Sequence, residues 1–130
     1  MVKKLANKRK EELVIDIIEY LQQHDMFFDI NIYANNKRFS TDKHKNDESR
    51  TSKHGEYYVS ECTKIPVEYN NPNTVTMTFE GPLYDALNYG SGKTEDELQK
   101  IFNKYGLYFE LGYAWSLAAY VWIKKITKVV

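Results

Sequence analysis

The sequence is poor in three features that define whole classes of protein: cysteine, long apolar runs and net charge. Its one cysteine, Cys62, cannot form an internal disulfide, which small secreted domains often use to reinforce a small core. It contains no apolar run of the ~18 residues that suggest a membrane-spanning helix. Its 18 Lys and Arg balance 18 Asp and Glu, so no overall field draws the chain to nucleic acid. We therefore expect a cytoplasmic protein that does not cross a membrane.

Aromatic side chains are what the sequence has in quantity: 11 Tyr, 6 Phe and 2 Trp in 130 residues. A chain of this length suits a single domain, residues 1–130, with its own hydrophobic core. Such a core does not need so many tyrosines, so we expect some of them to lie on the surface. Exposed tyrosines are typical of binding surfaces.

Hydrophobic periodicity predicts an α+β fold. Leu13, Ile17 and Leu21 recur every fourth residue, which predicts an amphipathic helix over about residues 8–24. After it, alternating apolar and polar residues predict an antiparallel sheet of about five or six strands, most clearly in TVTMTFE, residues 74–80. We expect this sheet to have one dry face, covered by the helix, and one wet face.

Two short helices are predicted before a C-terminal hairpin. Gly81 and Pro82 mark the start of the first, which ends near residue 88, and Thr94 and Glu97 form a capping box for the second. The hairpin, LYFELGYAWSLAAYVWIKK, turns near Leu111, with a helix over residues 113–122 as the alternative. Residues 40–54 lack aliphatic side chains and Phe, Tyr and Trp, so we expect a flexible loop there.

The stretch NYGSGKT, residues 88–94, resembles the end of a phosphate-binding loop. Such a loop also needs a glycine at position 87, where this chain has Leu87, and a buried strand directly before it. A predicted helix occupies that place, and the acidic residues after Thr94 would repel phosphate groups. We interpret the stretch as a linker between two helices.

The other reactive residues do not form a recognisable catalytic or metal-binding motif. His44 and His54 lie in the expected loop, but the closely spaced ligand pairs of a zinc site are missing. Cys62 would need a base and an orienting group to act as a nucleophile, and only His54 is near it in sequence. The sequence therefore predicts no enzyme activity, no cofactor and no metal ion.

An acidic segment rich in tyrosine, from Glu80 to Tyr113, is the main candidate for binding another protein. Tyrosine offers a large contact area at low entropic cost, and carboxylates beside it complement a basic partner. The predicted partner-binding residues are Glu80, Tyr84, Asp85, Tyr89, Glu95, Asp96, Glu97, Tyr108, Glu110 and Tyr113.

Basic residues near the N-terminus and in a predicted hairpin leave a second function open. Lysine and arginine neutralise phosphates, and exposed tyrosines stack on unpaired bases. The residues predicted to bind nucleic acid in this alternative are Lys3, Lys4, Lys8, Arg9, Lys10, Lys37 and Arg38.

The runs FEGPLYDALNYG and KYGLYFELGYAWSLAAY resemble segments of small accessory proteins of phages and conjugative plasmids. They are similar to the anti-defence group, which includes anti-restriction and anti-CRISPR inhibitors. The likeness covers roughly residues 78–120 and assigns no role to any single residue. It implies a cytosolic inhibitor that binds a bacterial immune nuclease, such as a Cas9-type effector, and blocks DNA access or guide loading. The alternative is a nucleic-acid-binding accessory protein of a mobile element.

Overall fold

The computed structural model describes residues 5–122, in which the chain forms three helices and seven strands. In chain order these are α1 (Asn7–Gln23), β1 (Ile30–Ala34), β2 (Lys37–Ser40), β3 (Glu48–Ser52), β4 (Gly55–Glu61), β5 (Thr76–Phe79), α2 (Pro82–Tyr89), α3 (Lys93–Asn103), β6 (Leu107–Leu111) and β7 (Ser116–Val121). The strands form one sheet in the order β3-β4-β2-β1-β5-β7-β6, and all neighbours pair antiparallel. The predicted α+β class is confirmed, with a slightly larger sheet than expected.

Helix α1 forms because its apolar side chains fall on one side of the helix. Leu13, Val14, Ile17, Ile18 and Leu21 are completely buried and belong to the same core cluster as the sheet. The bounds agree with the predicted helix to within one residue. None of the described helices is long and apolar enough to cross a lipid bilayer.

The side of the sheet that the helices cover is here named the inner face. One row of buried residues crosses five strands on this face: Val59, Phe39, Ile32, Met77 and Leu117 are successive register partners. Because side chains alternate along a strand, their neighbours in sequence point to the opposite side, the outer face. The core therefore lies between the inner face and the helices.

The outer face is partly covered by the connection between β4 and β5, residues 62–75. The Asn71 amide and the Thr74 hydroxyl donate to the Ala119 carbonyl at 2.8 and 2.6 Å. The Asn71 backbone N–H donates to Thr76 Oγ1 at 2.9 Å, and Thr76 is completely buried. The expected wet face is therefore only partly open to solvent, because the connection shields part of it from water.

Residues 40–54 do not form the loop without secondary structure that their composition predicts. Strand β3, Glu48–Ser52, pairs with β4 along its whole length. Just before it, Asp47 accepts hydrogen bonds from the Arg38 side chain (2.9 Å) and from the His44 backbone N–H (2.8 Å). An edge strand needs backbone partners more than apolar side chains, and composition does not reveal those partners.

The C-terminal hairpin is confirmed as β6 and β7, so the alternative of a helix over residues 113–122 is wrong. In the turn between them, the Gly112 N–H donates to the Ser116 carbonyl (3.0 Å), and the Tyr113 N–H donates to the Ser116 hydroxyl (2.9 Å). Strand β7 lies between β5 and β6, so both edges of its backbone have partners. That position explains why large apolar residues occur on both of its faces.

Helices α2 and α3 stand on either side of the linker predicted from NYGSGKT, and that placement is confirmed. The capping box of Thr94 and Glu97 is wrong. Helix α3 begins at Lys93 after Gly92, which has a φ of 95°, and no side chain caps it. The Glu97 carboxylate instead accepts a hydrogen bond from the Tyr20 hydroxyl at 2.7 Å. The Glu97 side chain, which the capping box would need, therefore takes part in the contact between α1 and α3 instead.

Candidate protein-binding surface

Four strand ends meet at one end of the outer face. Strand β1 begins where its neighbours β2 and β5 end, and β7 begins beside the end of β5. This antiparallel pairing brings Asp29, Asp42, Glu80 and Trp115 together around one cavity, although they lie far apart in sequence. All four residues are exposed to solvent. They are therefore available to a binding partner.

The cavity has a volume of about 440 Å³, and we name it the acidic pocket. Asn31, Tyr33 and Thr78, from neighbouring strands β1 and β5, also line it. Pro66, from the connection that crosses the outer face, completes one side. A pocket of this size can hold a small ligand or a side chain of another protein.

The acidic pocket concentrates negative charge. Among the described residues, no Lys, Arg or His side chain lines it, and Asp29, Asp42 and Glu80 form no ion pair or side-chain hydrogen bond. No group of three His, Cys, Asp or Glu side chains between residues 5 and 122 could hold a metal ion.

A hydrogen-bond network fixes the floor of the pocket. The Arg38 guanidinium donates to Asn31 Oδ1 (3.1 Å) and Ser60 Oγ (3.2 Å), and it pairs with the Asp47 carboxylate at 2.9 Å. The side chains of this pair are only 12% and 4% exposed. Burial raises the pKa of Tyr33, so its phenol stays neutral. The floor of the pocket is therefore polar and hydrogen-bonded, whereas the exposed charge belongs to Asp29, Asp42 and Glu80.

Three aromatic rings continue the surface from the pocket onto the β6–β7 turn. Tyr113 stacks on Trp115 with 4.9 Å between their ring centroids. The Tyr69 ring also contacts Tyr113, with 5.0 Å between the two centroids. The Tyr113 hydroxyl donates to the Glu68 carboxylate at 2.8 Å, and this hydrogen bond raises the pKa of Tyr113. We name Tyr69, Tyr113 and Trp115 the aromatic cluster. Trp115 belongs to both features, so the two form one continuous surface.

The residues predicted to bind a partner do not form one patch. Glu80 lines the acidic pocket, and Tyr113 belongs to the aromatic cluster. Tyr84, Asp85 and Tyr89 lie on α2, where a hydrogen bond with Tyr89 raises the pKa of Tyr84. The structure therefore brings only part of the predicted set to the pocket.

Helix α2 is nevertheless tied to the aromatic cluster through the hairpin turn. The Asn88 side chain near its C-terminal end donates to the Ala114 carbonyl at 2.8 Å, beside the stacked rings. Tyr89, the next residue, is 77% exposed. Helix α2 thus extends the surface at its margin.

The acidic residues of α3 divide into two groups. Glu95 and Asp96 are exposed in its first turn, where negative charge favours the helix N-terminus. Glu97 accepts the hydrogen bond from Tyr20 and so takes part in helix packing. The negative charges of Glu95, Asp96 and Glu97 are therefore explained by the stability and packing of α3.

The last two predicted residues, Tyr108 and Glu110, lie on the outer face of β6. Tyr108 packs against Tyr120 (5.9 Å between centroids) and Trp122 (5.7 Å). Trp122 is 52% exposed. This second group of rings lies on the same face as the acidic pocket, toward the other end of the hairpin.

Sequence reasoning missed Asp29, Asp42 and Trp115. Each stands just outside a strand, so no local pattern marks it, and only the pairing of distant strands brings the three together. The sequence does contain one relevant signal, because acidic residues lie close to the ends of alternating strands. This signal can locate a pocket only when the order of the strands in the sheet is known, and the sequence does not reveal that order.

The N-terminal basic residues predicted to bind nucleic acid are only partly described. Lys3 and Lys4 lie outside the described residues. Lys8 is exposed, and Arg9 pairs with Glu12 at 2.9 Å. The Arg9 guanidinium also lies 4.2 Å from the centroid of the Tyr105 ring. Lys10 donates to the Asn7 side chain at 3.4 Å.

The two basic residues of the β1–β2 hairpin point to opposite faces of the sheet. Lys37 pairs with Glu11 of α1 at 3.2 Å on the inner side, and Arg38 pairs with Asp47 on the outer side. Each cation therefore has an anionic partner. They do not form a common basic patch.

The remaining reactive group, Cys62, is engaged in a local contact. Its thiol donates to the Lys64 carbonyl at 3.3 Å, and it is partly buried just after β4. The N-terminus of α3, at the former candidate phosphate loop, follows another helix instead of a buried strand. Neither group has the surroundings that nucleophilic catalysis or a phosphate loop requires.

The chain matches no protein-family model, no curated protein and no solved structure. The resemblance to anti-defence proteins stays a prediction, and the function is inferred from the surface itself.

Proposed function

We propose that the protein is a non-enzymatic inhibitor that binds a basic, nucleic-acid-processing enzyme. The expected target is a bacterial immune nuclease of the Cas9 type. The inhibitor acts by occupying a surface that otherwise receives nucleic acid, and so it blocks DNA access or guide loading.

The observation that carries this proposal is the acidic pocket beside the exposed aromatic cluster. Nucleic-acid-processing enzymes neutralise phosphates with Lys and Arg, so their binding channels are strongly basic. The exposed carboxylates of Asp29, Asp42 and Glu80 complement such a channel. Trp115 and Tyr69, 40% and 51% exposed, add the rigid contact area that is enriched at the centre of interfaces.

Direct binding of nucleic acid has less support in the arrangement of the cations. Lys37 and Arg38 lie on opposite faces, and both are paired with carboxylates. A phosphate backbone that approached the outer face would also meet the acidic pocket. The two hairpin cations that this alternative needs are thus divided between opposite faces of the sheet.

Co-purification with a Cas9-type nuclease and an assay of its DNA cleavage test the proposal. We expect a stable complex and loss of cleavage at a small molar excess of the wild-type protein. The combined variant Asp29→Asn, Asp42→Asn, Glu80→Gln removes the pocket's charge at constant shape. It should lower the apparent affinity by about tenfold or more.

A matched control removes three exposed carboxylates that do not line the acidic pocket: Asp25→Asn, Glu56→Gln, Glu61→Gln. It should inhibit like the wild type. Cleavage that continues at a large excess of the wild-type protein would show that this nuclease is not the target. A gel-shift complex with DNA at low salt, combined with no effect on the nuclease, would support the nucleic-acid-binding alternative instead.

A further inference from the structure

We propose that the acidic pocket receives an arginine side chain of the partner protein. This inference rests on the proposed function, because it assigns the pocket a specific part in binding the partner. The occupant is a guanidinium group that is attached to a polypeptide.

The charge of the pocket selects a cation. Asp29, Asp42 and Glu80 come from three different strand ends and surround the same cavity. None of these carboxylates has a partner among the described residues, so each can accept hydrogen bonds from a ligand. The one arginine nearby in the fold, Arg38, is already paired with Asp47 beneath the surface. Within residues 5–122, no cation therefore lines the pocket.

The shape and the aromatic wall favour guanidinium over ammonium. Guanidinium is planar and has five N–H donors that spread outward, so it can reach carboxylates on several sides of a cavity. It also stacks on aromatic rings and loses its hydration more readily than ammonium does. Trp115 lines the pocket, and its stacking on Tyr113 at an interplanar angle of 10° holds the indole in place.

The surroundings of the pocket favour an arginine within a polypeptide over a free small molecule. The aromatic cluster continues directly from Trp115 over Tyr113 to Tyr69, outside the cavity. A free guanidinium compound would leave these rings without a contact. Residues that flank an arginine in a partner would cover them, and such contacts add area and exclude water around the buried charge.

A fluorescence titration with short peptides tests this assignment. The Trp122→Phe variant makes Trp115 the only tryptophan of the chain. The probe is acetyl-Gly-Arg-Gly-amide, compared with the same peptide containing lysine or citrulline, which is uncharged but similar in shape to arginine. We expect a saturable change in Trp115 emission with the arginine peptide, binding about threefold or more weaker with lysine, and no binding with citrulline.

Two further measurements identify the groups that bind the arginine peptide. Asp29→Asn, Asp42→Asn, Glu80→Gln in the Trp122→Phe background should weaken arginine-peptide binding by about tenfold or more, while the control Asp25→Asn, Glu56→Gln, Glu61→Gln should not change it. Circular dichroism of both variants verifies that they are folded. N-acetyl-arginine amide, a free amide with the same charge as the peptide but without flanking residues, should bind more weakly than the peptide. Equal binding of the free amide would overturn the assignment to a partner's side chain.

Failure of this inference can be distinguished from failure of the proposed function. If the citrulline peptide binds as well as the arginine peptide, or if no peptide binds, the arginine assignment is wrong, even when the nuclease is still inhibited. If the arginine peptide binds through the three carboxylates but no nuclease is inhibited, the assignment holds and the proposed inhibitory function is wrong.

Discussion

Aspartate side chains stabilise the fold at one position and are available for binding at others, because their surroundings differ. The Asp47 side chain is almost completely buried and is held by Arg38, whereas Asp29 and Asp42 are exposed at the acidic pocket and have no ion-pair partner within residues 5–122. Taking charges out of water is costly unless each is paired, so a buried aspartate is informative about stability. An exposed aspartate without a partner is informative about binding.

Asp47→Ala should destabilise the fold strongly. It leaves the Arg38 guanidinium partly buried without its counter-ion, a change that costs about 3 kcal/mol in buried pairs. Urea unfolding followed by circular dichroism measures this loss. The control is Glu11→Ala, which breaks the more exposed pair with Lys37 and should cost less than about 1 kcal/mol. Equal losses in the two variants would contradict the structural role of Asp47.

Ionisation of the Tyr20 phenol should make the folded protein less stable at alkaline pH. Burial and the hydrogen bond to Glu97 raise its pKa from 10.0 to about 12. The folded protein therefore holds the phenolic proton more tightly than the unfolded chain does. This contribution is complete below pH ~10 and is lost as the pH rises from about 10 to about 12.

The variant Tyr20→Phe isolates this effect. It should lose about 1.5 kcal/mol at pH 7, because the bond to a carboxylate is gone, but it should lose less further stability than the wild type above pH ~10. Tyr69→Phe is the control, since Tyr69 is 51% exposed. Chemical denaturation at several pH values provides the measurement. A parallel decline for Tyr20→Phe and the wild type would contradict the prediction.

Side-chain burial was easier to predict from the sequence than side-chain partners. The apolar row of α1 and the alternation of Val75, Met77 and Phe79 identified core residues correctly, because burial follows from local periodicity. The partner of Glu97 was predicted wrongly, because a distant helix supplies Tyr20. Partners depend on tertiary contacts that no local pattern contains.

At the scale of secondary-structure elements, the β6–β7 turn determines where the aromatic cluster lies. A Cβ atom at Gly112 would come within 2.6 Å of Tyr69 Cβ and 3.2 Å of Ser116 Oγ. A Cβ contact as short as 2.6 Å does not occur without displacement of a neighbour. The absence of a side chain at this one position therefore allows Tyr69 to approach Tyr113.

Gly112→Ala should move Tyr69 away from the turn. We expect a loss of about 1 to 3 kcal/mol, typical of an overpacked site, together with shifted NMR signals of the Tyr69, Tyr113 and Trp115 rings. Ala114→Ser, at an exposed position of the same turn, should leave both measurements nearly unchanged. Unchanged ring signals in Gly112→Ala would show that Tyr69 does not pack closely on the turn.

Strand β3 shows which elements composition cannot predict. Its residues carry no apolar side chain larger than a threonine methyl group, and its order comes from backbone pairing with β4 and from the anchored Asp47. Strands β1 and β2, by contrast, contribute buried residues to the core. The acidic pocket was missed for a related reason, because strand order places its residues together.

At the scale of the whole molecule, charge is balanced in total but uneven in position. The 18 basic and 18 acidic side chains cancel, so long-range attraction to a partner is weak. The acidic pocket nevertheless presents three exposed carboxylates around one cavity. Under the proposed function, we expect electrostatic attraction to a basic partner to act mainly at this pocket.

Binding to the partner should weaken as salt increases. Between roughly 50 and 500 mM salt we expect association to slow by about tenfold, because screening acts on exposed charges. The variant Asp29→Asn, Asp42→Asn, Glu80→Gln should show a much smaller salt effect, and the aromatic contacts should persist in both proteins. Surface plasmon resonance at several salt concentrations measures the rates. Equal salt effects in the two proteins would show that the electrostatic attraction to the partner does not come from the acidic pocket.

The two edges of the sheet differ in a way that limits self-assembly. At the β6 edge, the Gln99 side chain of α3 bonds both backbone groups of Phe109, donating to its carbonyl at 3.1 Å and accepting from its N–H at 2.7 Å. The other edge, β3, has no strand beyond it within residues 5–122. Open-ended growth of a fibril by strand addition needs two accepting edges on each molecule. Because the Gln99 side chain bonds the backbone at the centre of the β6 edge, strand addition is hindered there, and β3 is the edge of the described sheet that is left for pairing with another strand.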